Sequence, residues 1–204
     1  MTNYAIPNAN HIASVSMRQV VVDKVTGSPF TLTQQVLSYS GQRWEMDVTL
    51  APLDNADART WLAWFSQVNG RYNTFTMGDP TGATPQGEAG GTPLVAGAGQ
   101  TGSSLAIDGA SLSQTDWLKA GDYIQIGTGA NARLHILTAD ADTDGAGAVT
   151  LAIWPDIITA PADNAAVVVS NTVGAWRMQS PNRSWSVNPA SIYDMSFSAV
   201  SVVG

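Results

Sequence analysis

Several groups of residues in this 204-residue chain have types and spacing that chemistry could use. Gly97-Ala98-Gly99-Gln100-Thr101-Gly102 fits G-x-G-x-x-G, the loop that seats a dinucleotide pyrophosphate. That loop works only where a strand feeds it and a helix leaves it, because the phosphate rests on the helix N-terminus. Here Ser103-Ser104-Leu105-Ala106-Ile107 follows, a strand-like run, and no βαβ alternation occurs, so a flexible linker is expected. Asp140-Ala141-Asp142-Thr143-Asp144-Gly145 begins like a calcium loop. Its twelfth position is Leu151 where a bidentate Glu is needed, and strand-like runs flank it. A polar hairpin turn is the reading, with a loose three-carboxylate calcium site as the alternative.

The histidines are His11 and His135, and His135 lies in a strand-like run between Leu134 and Ile136, the setting of an ordinary strand histidine. No G-x-S-x-G, H-E-x-x-H or cysteine nucleophile is present, and paired carboxylates are too common to identify a glycosidase. The sequence therefore points away from an enzyme, and to no cofactor and no metal. Near the C-terminus Trp176, Trp185, Tyr193 and Phe197 could form a stacking platform for sugars; at alternating strand positions aromatics more often fill a core. Trp176 and Trp185 are the residues to test for a carbohydrate site. Asn182-Arg183-Ser184 fits a glycosylation acceptor but carries no weight without a secretory signal.

The scaffold that must position these groups is poor in charge. Charged residues make up 12% of the chain, about half the usual share. Either much of the surface is buried in an assembly, or Ser and Thr cover a β-rich exterior. Net charge is −7, and all of it falls between Thr81 and Thr172, where Lys119 and Arg133 face nine acidic residues; the remainder is neutral. Such a shift marks a domain boundary and argues against nucleic acid, which needs clustered Lys and Arg. Without cysteine there are no disulfides or thiolate metal sites. MTNYAIPNANHIASVSM lacks a basic start followed by an apolar core, and no run reaches a membrane span. A soluble chain made in the cytoplasm is expected.

The organising stretch is Gln42–Pro80. Trp44, Met46, Val48 and Leu50 alternate with polar residues, as in a half-buried strand. After Pro52, Asp54 or Asn55 can cap a helix over about residues 56–69. Its stripe is Ala58, Trp61, Leu62, Phe65 and Val68, and Gly70 is placed to end it left-handed. Trp64 lies beside that stripe, at the core edge or on a subunit interface. Earlier, Ile12–Val25 reads as a strand, and Phe30–Thr33 alternates after a turn; later, Tyr72–Met77 is another strand. Thr81–Thr101 reads as a linker with one extended piece around Leu94. Five short strand candidates follow, at Ser104–Ile107, Asp122–Ile126, Arg133–Leu137, Ala148–Ile153 and Ala165–Val169, the pattern of a small OB- or SH3-like barrel. From Val173 the earlier composition returns, with Tyr193, Met195, Phe197 and Ala199 on one face of a last strand. The expected fold is all-β with one helix. Residues 1–80 plus 173–204 form a β-sandwich or barrel domain, and residues 81–172 form a linker and an inserted five-stranded barrel.

GQRWEMDVTLAPL, ADARTWLAWFSQVNGR, YNTFTMGDP and the late WRMQSP and WSVNP together resemble the distal tail protein of long, non-contractile-tailed bacteriophages and related gene-transfer particles. The segments SSLAIDG, LKAGDYIQIG and RLHILTADADTDGAGAVTLAIWP resemble the small barrel such proteins carry. This resemblance implies a structural virion protein at the phage tail tip, synthesised in the bacterial host cytoplasm. It implies a homohexameric ring made by the β domain, joining the tail tube protein to the tail hub or baseplate. The barrel would project outward, toward side fibres or a host-surface glycan in host attachment, with no specific nucleic acid and no membrane partner. In that setting Trp64 becomes a candidate subunit contact. Another tube or minor tail protein, and a carbohydrate-binding module, are the alternatives.

Overall fold

The computed structural model describes residues 1–203. Its strands, in chain order, are β1 (Asn3–Ala5), β2 (Ile12–Gly27), β3 (Gln34–Leu50), β4 (Thr74–Met77), β5 (Gly91–Val95), β6 (Gly102–Ala110), β7 (Tyr123–Ile126) and β8 (Arg133–Leu137). They continue as β9 (Val149–Ile157), β10 (Val167–Val168), β11 (Gly174–Met178), β12 (Ser186–Val187), β13 (Tyr193–Asp194) and β14 (Ser196–Ser201). The α-helix is α1 (Asn55–Val68). The fold is mostly β with one helix, as the residue periodicities require.

One sheet has the order β1-β4-β11-β14-β3-β2, antiparallel except for the β1–β4 pair. Period two decides its inner face: Trp44, Met46, Val48 and Leu50 are buried while Thr49 is exposed. Glu45 is buried too, held by Arg18 and Arg43. Helix α1 lays Ala58, Trp61, Trp64 and Val68 on that sheet, where the Trp64 ring meets Phe75 at 5.2 Å and Phe197 at 5.7 Å. Asp54 caps it, accepting from the Asp57 amide at 2.9 Å. At the other end Asn69 is already left-handed and its amide bonds to the Phe65 carbonyl, with Gly70 left-handed after it. Asn tolerates this conformation, so the helix stops one residue before the expected glycine.

A second six-stranded sheet has the order β10-β7-β8-β9-β6-β5. A Leu94–Ala166 bridge and the Val95 amide on the Ala165 carbonyl bring its ends together, so the barrel is nearly closed. Leu105, Ile107, Trp117, Leu118, Ile124, Leu151 and Ile153 fill it. Five of its strands match the expected ones; the sixth, β5, is the extended piece around Leu94. Pro93 hid it, because proline argues against a central strand but is tolerated at an edge.

Two expected strands differ. Phe30–Leu32 is the tip of a hairpin, since Ser28 Oγ accepts the Phe30 and Thr31 amides and closes a turn. The terminal run breaks at Met195, and Tyr193–Asp194 pairs instead with Ser186–Val187. Trp44 ties the two sheets: its indole N–H donates to the Leu134 carbonyl at 3.0 Å, and Trp154 meets its ring edge-on at 4.6 Å.

Candidate subunit interface

Strands β2 and β3 are 16 and 17 residues long, about three times a typical strand. Only their body halves are covered. From Val21 to Ser40 every residue is exposed except Ser28, which is half-buried. The arm they form runs about 26 Å past Gln42, taking eight β3 residues at about 3.3 Å each. Its registered pairs include Val25 opposite Val36 and Lys24 opposite Leu37, so apolar groups stand on both faces. Tyr39 and Val22 are bare as well, and the tip presents Phe30 at 94% and Leu32 at 82% exposure. Two charges, Asp23 and Lys24, occur in these twenty residues. A lone two-stranded hairpin is marginal in water, and this one keeps eight large apolar residues, Val21, Val22, Val25, Phe30, Leu32, Val36, Leu37 and Tyr39, exposed. The sequence reading missed the arm; continuous strand propensity across Ile12–Gly27 with so few charges was the available signal.

The aromatic candidates separate. Trp64, the expected interface residue, is 3% exposed inside the core of its own chain. Its indole Nε1 has no hydrogen-bond partner. A shallow pocket opens over it between α1 and β1, lined by Ala5, Pro7, Ala63 and Trp64 with the exposed Arg59 and Gln67. Trp176 is fully buried and donates to the Met77 carbonyl at 2.7 Å, so it offers no ring face to a sugar. Trp185 is 53% exposed, beside a groove lined by Thr49, Leu50 and Asp194. The proposed Trp176–Trp185 sugar platform is therefore reduced to Trp185.

The motif-like stretches have structural partners. Gly97–Gly102 joins β5 to β6 with no helix after it. The Gln100 side chain donates to the Ala96, Gly97 and Ala106 carbonyls and accepts the Ala106 amide, filling the loop that a phosphate would need. In the calcium-like turn, the three carboxylates point to different backbones. Asp140 accepts the Ala120 amide, Asp142 the Asp116 amide, and Asp144 the Ala146 and Ala148 amides, each at 2.7–2.8 Å. Those amide bonds hold the Asp144 carboxyl below the usual carboxylate range. Among the described residues no three His, Cys, Asp or Glu side chains gather as a metal set. Asp122 is buried and accepts the Gln86, Gly87 and Lys119 amides, pinning the chain that leads into the barrel.

At the junction of the two sheets lies a cleft of about 370 Å³, lined by Trp44, His135, Pro155, Ile157 and Val202 among others. Burial pushes His135 down to about 4, against the bond its Nδ1 makes to the Pro155 carbonyl, so it is neutral at pH 7. Beside this junction Tyr123 donates to Asp79 at 3.1 Å. Burial and the Asp79 charge push the phenol up to about 12. Burial opposes ionisation of Asp79, but hydrogen bonds from Thr81, Tyr123 and Gly82 outweigh it and hold the carboxyl below its ordinary value. These groups tie chain segments together. Among the described residues no helix is long and apolar enough to cross a membrane.

No known protein family matches this chain, and no curated protein matches it either.

Proposed function

We propose that this protein is a structural subunit of a phage tail tip that forms a hexameric ring between the tail tube and the tail hub. The observation that carries the reading is the bare apolar arm. Its nineteen exposed residues come close to one side of a standard protein interface, about 20–30 residues. A subunit built to stand alone would not keep Val25, Phe30, Leu32, Val36, Leu37 and Tyr39 in water. The acidic barrel faces outward in this reading, where side fibres or a host glycan would meet it, and Trp185 is the exposed aromatic left for a sugar.

Light scattering and negative-stain imaging of the purified protein test the reading. Closed rings of six subunits are the expected result. Stacked rings forming tubes would place the protein in the tube instead, and a monomer at every concentration would overturn the ring. For the carbohydrate-binding alternative, glycan binding that disappears in Trp185→Ala with an unchanged fold is the deciding outcome.

A further inference from the structure

We propose that the cleft at the junction of the two sheets is a small-molecule site. Its ligand is an uncharged, mainly apolar molecule with one hydroxyl or N–H group, which donates to His135 Nε2. The inference goes beyond the ring reading and stands without it.

The strand pattern puts the imidazole there. Along β8, Leu134 and Ile136 pack against the core of the first sheet, while Leu137 belongs to the barrel core. By alternation His135 shares the Leu137 face, at the end of the barrel where Ile126 and Ile157 also line the cleft. Barrel mouths and the seams between packed units are common places for small-molecule sites. A cleft of about 370 Å³ falls within their usual range of about 300–1,000 Å³.

The imidazole presents one free acceptor. A carbonyl can only accept, so the 2.7 Å bond between His135 Nδ1 and the Pro155 carbonyl places the ring proton on Nδ1. Burial holds the ring neutral at pH 7, which leaves a lone pair on Nε2. Among the described residues that nitrogen has no hydrogen-bond partner. The ring is 4% exposed, yet Nε2 is not among the sealed side-chain atoms without a partner, which are Trp64 Nε1 and Arg183 Nη2. The acceptor is thus unpaired, desolvated on most sides and still reachable, and the ring that carries it lines the cleft.

The surroundings set the class of ligand. Other polar side chains of the lining are already engaged. Gln42 Oε1 accepts the Asp156 amide at 2.9 Å, Ser201 Oγ accepts the Trp44 amide at 3.0 Å, and Arg133 donates to the Ala130 and Ala132 carbonyls. Trp44, Ala175 and Val202 on the side of the first sheet, and Ile126, Ile157 and Ala165 on the side of the barrel, give apolar walls. Arg133 and Asp156 both line the cleft with opposite signs, so neither an anion nor a cation is favoured, and the Nε2 lone pair repels an anion.

The chain has two histidines, so histidine-selective 15N labelling of the full-length protein reads His135 against His11. His11 lies outside the cleft lining, and its Nδ1 already accepts the Trp61 indole N–H. Phenol, the similarly shaped fluorobenzene and benzoate are the probes. Phenol should bind saturably and move the His135 Nε2 resonance upfield, leaving both His11 nitrogens in place. Fluorobenzene fills the same space without a donor and should bind about fivefold more weakly or worse, and benzoate should not compete. His135→Phe, with its fold checked by thermal melting, should remove the preference for phenol over fluorobenzene. If that variant does not fold, the wild-type Nε2 shift decides. Phenol that fails to bind, binds no better than fluorobenzene, or binds without moving Nε2 overturns the site, whatever the oligomeric state.

Discussion

Two cross-strand pairs, chemically almost alike, have opposite fates in this molecule. Leu105 stands opposite Leu151 in the barrel and both are fully buried; Val25 stands opposite Val36 in the arm and both are exposed. Each is an antiparallel aliphatic pair with the propensity to hold a strand. In the barrel a second layer covers them, and each buried side chain contributes about 1.5–3 kcal/mol. In the arm nothing of the same chain covers them, so the lone chain does not have that gain. Strand formation and burial are thus separate facts, and the separation predicts where substitutions will register in the lone subunit.

The largest effect belongs to the barrel core. Trp117 is fully buried, and its indole donates to the Gly90 carbonyl at 2.8 Å. Trp117→Ala should cost about 3–5 kcal/mol, read as a lowered urea midpoint with an unchanged slope. A loss below 1 kcal/mol would mean the barrel is no more a packed core than the arm.

Next comes His135, buried beside the junction cleft with a pKa of about 4. Its folded value is depressed, so the unfolded chain binds the extra proton first. Stability from the neutral ring is fully present above about pH 6.5 and is lost as pH falls toward 4. The total is of order 3 kcal/mol for a drop of this size. His135→Gln should flatten the dependence of the urea midpoint on pH across that window; an unchanged slope would show that another group sets it.

A smaller effect is expected at Asp122, whose carboxylate gathers the Gln86, Gly87 and Lys119 amides. Asp122→Asn keeps the shape but supplies one acceptor oxygen where two were used, and should cost about 1–3 kcal/mol. Hydrogen exchange at Gln86 and Gly87 should rise with it; protection that persists would show the segment is held by packing instead.

Much of this fold could be read from residue types, and the omissions share one cause. Alternation over Trp44–Leu50, a cap at Asp54 or Asn55 and the stripe Ala58, Trp61, Leu62, Phe65 and Val68 pointed to strand and helix directly, because local periodicity reports local structure; Asp54 is the cap, and Leu62 and Phe65 are only half-buried. Strand β5 was hidden by Pro93 and the glycines around it, and is made a strand by the long-range pairing of Val95 with Ile107. Trp64 sat beside the helical stripe, and its burial depends on Phe75 and Phe197 from distant segments. The arm was misread for the same reason. Its residues look like those of any covered strand, and nothing local says that no second layer arrives.

The smallest effect on the subunit is the one that bears most on assembly. Val25→Thr with Val36→Thr keeps β-branching and strand propensity but replaces an exposed apolar pair with hydroxyls. Both side chains already face water, so the monomer's unfolding free energy should shift by no more than about 0.5 kcal/mol. Assembly should weaken at least tenfold, about 1.4 kcal/mol, if those methyl groups are buried against a neighbour. Urea titration below the assembly concentration and light scattering across it read the two effects separately. A double variant as stable as wild type but weaker in association assigns the arm to the interface. One that loses several kcal/mol as a monomer would mean the arm folds back on its own subunit, which would remove the contrast with the barrel.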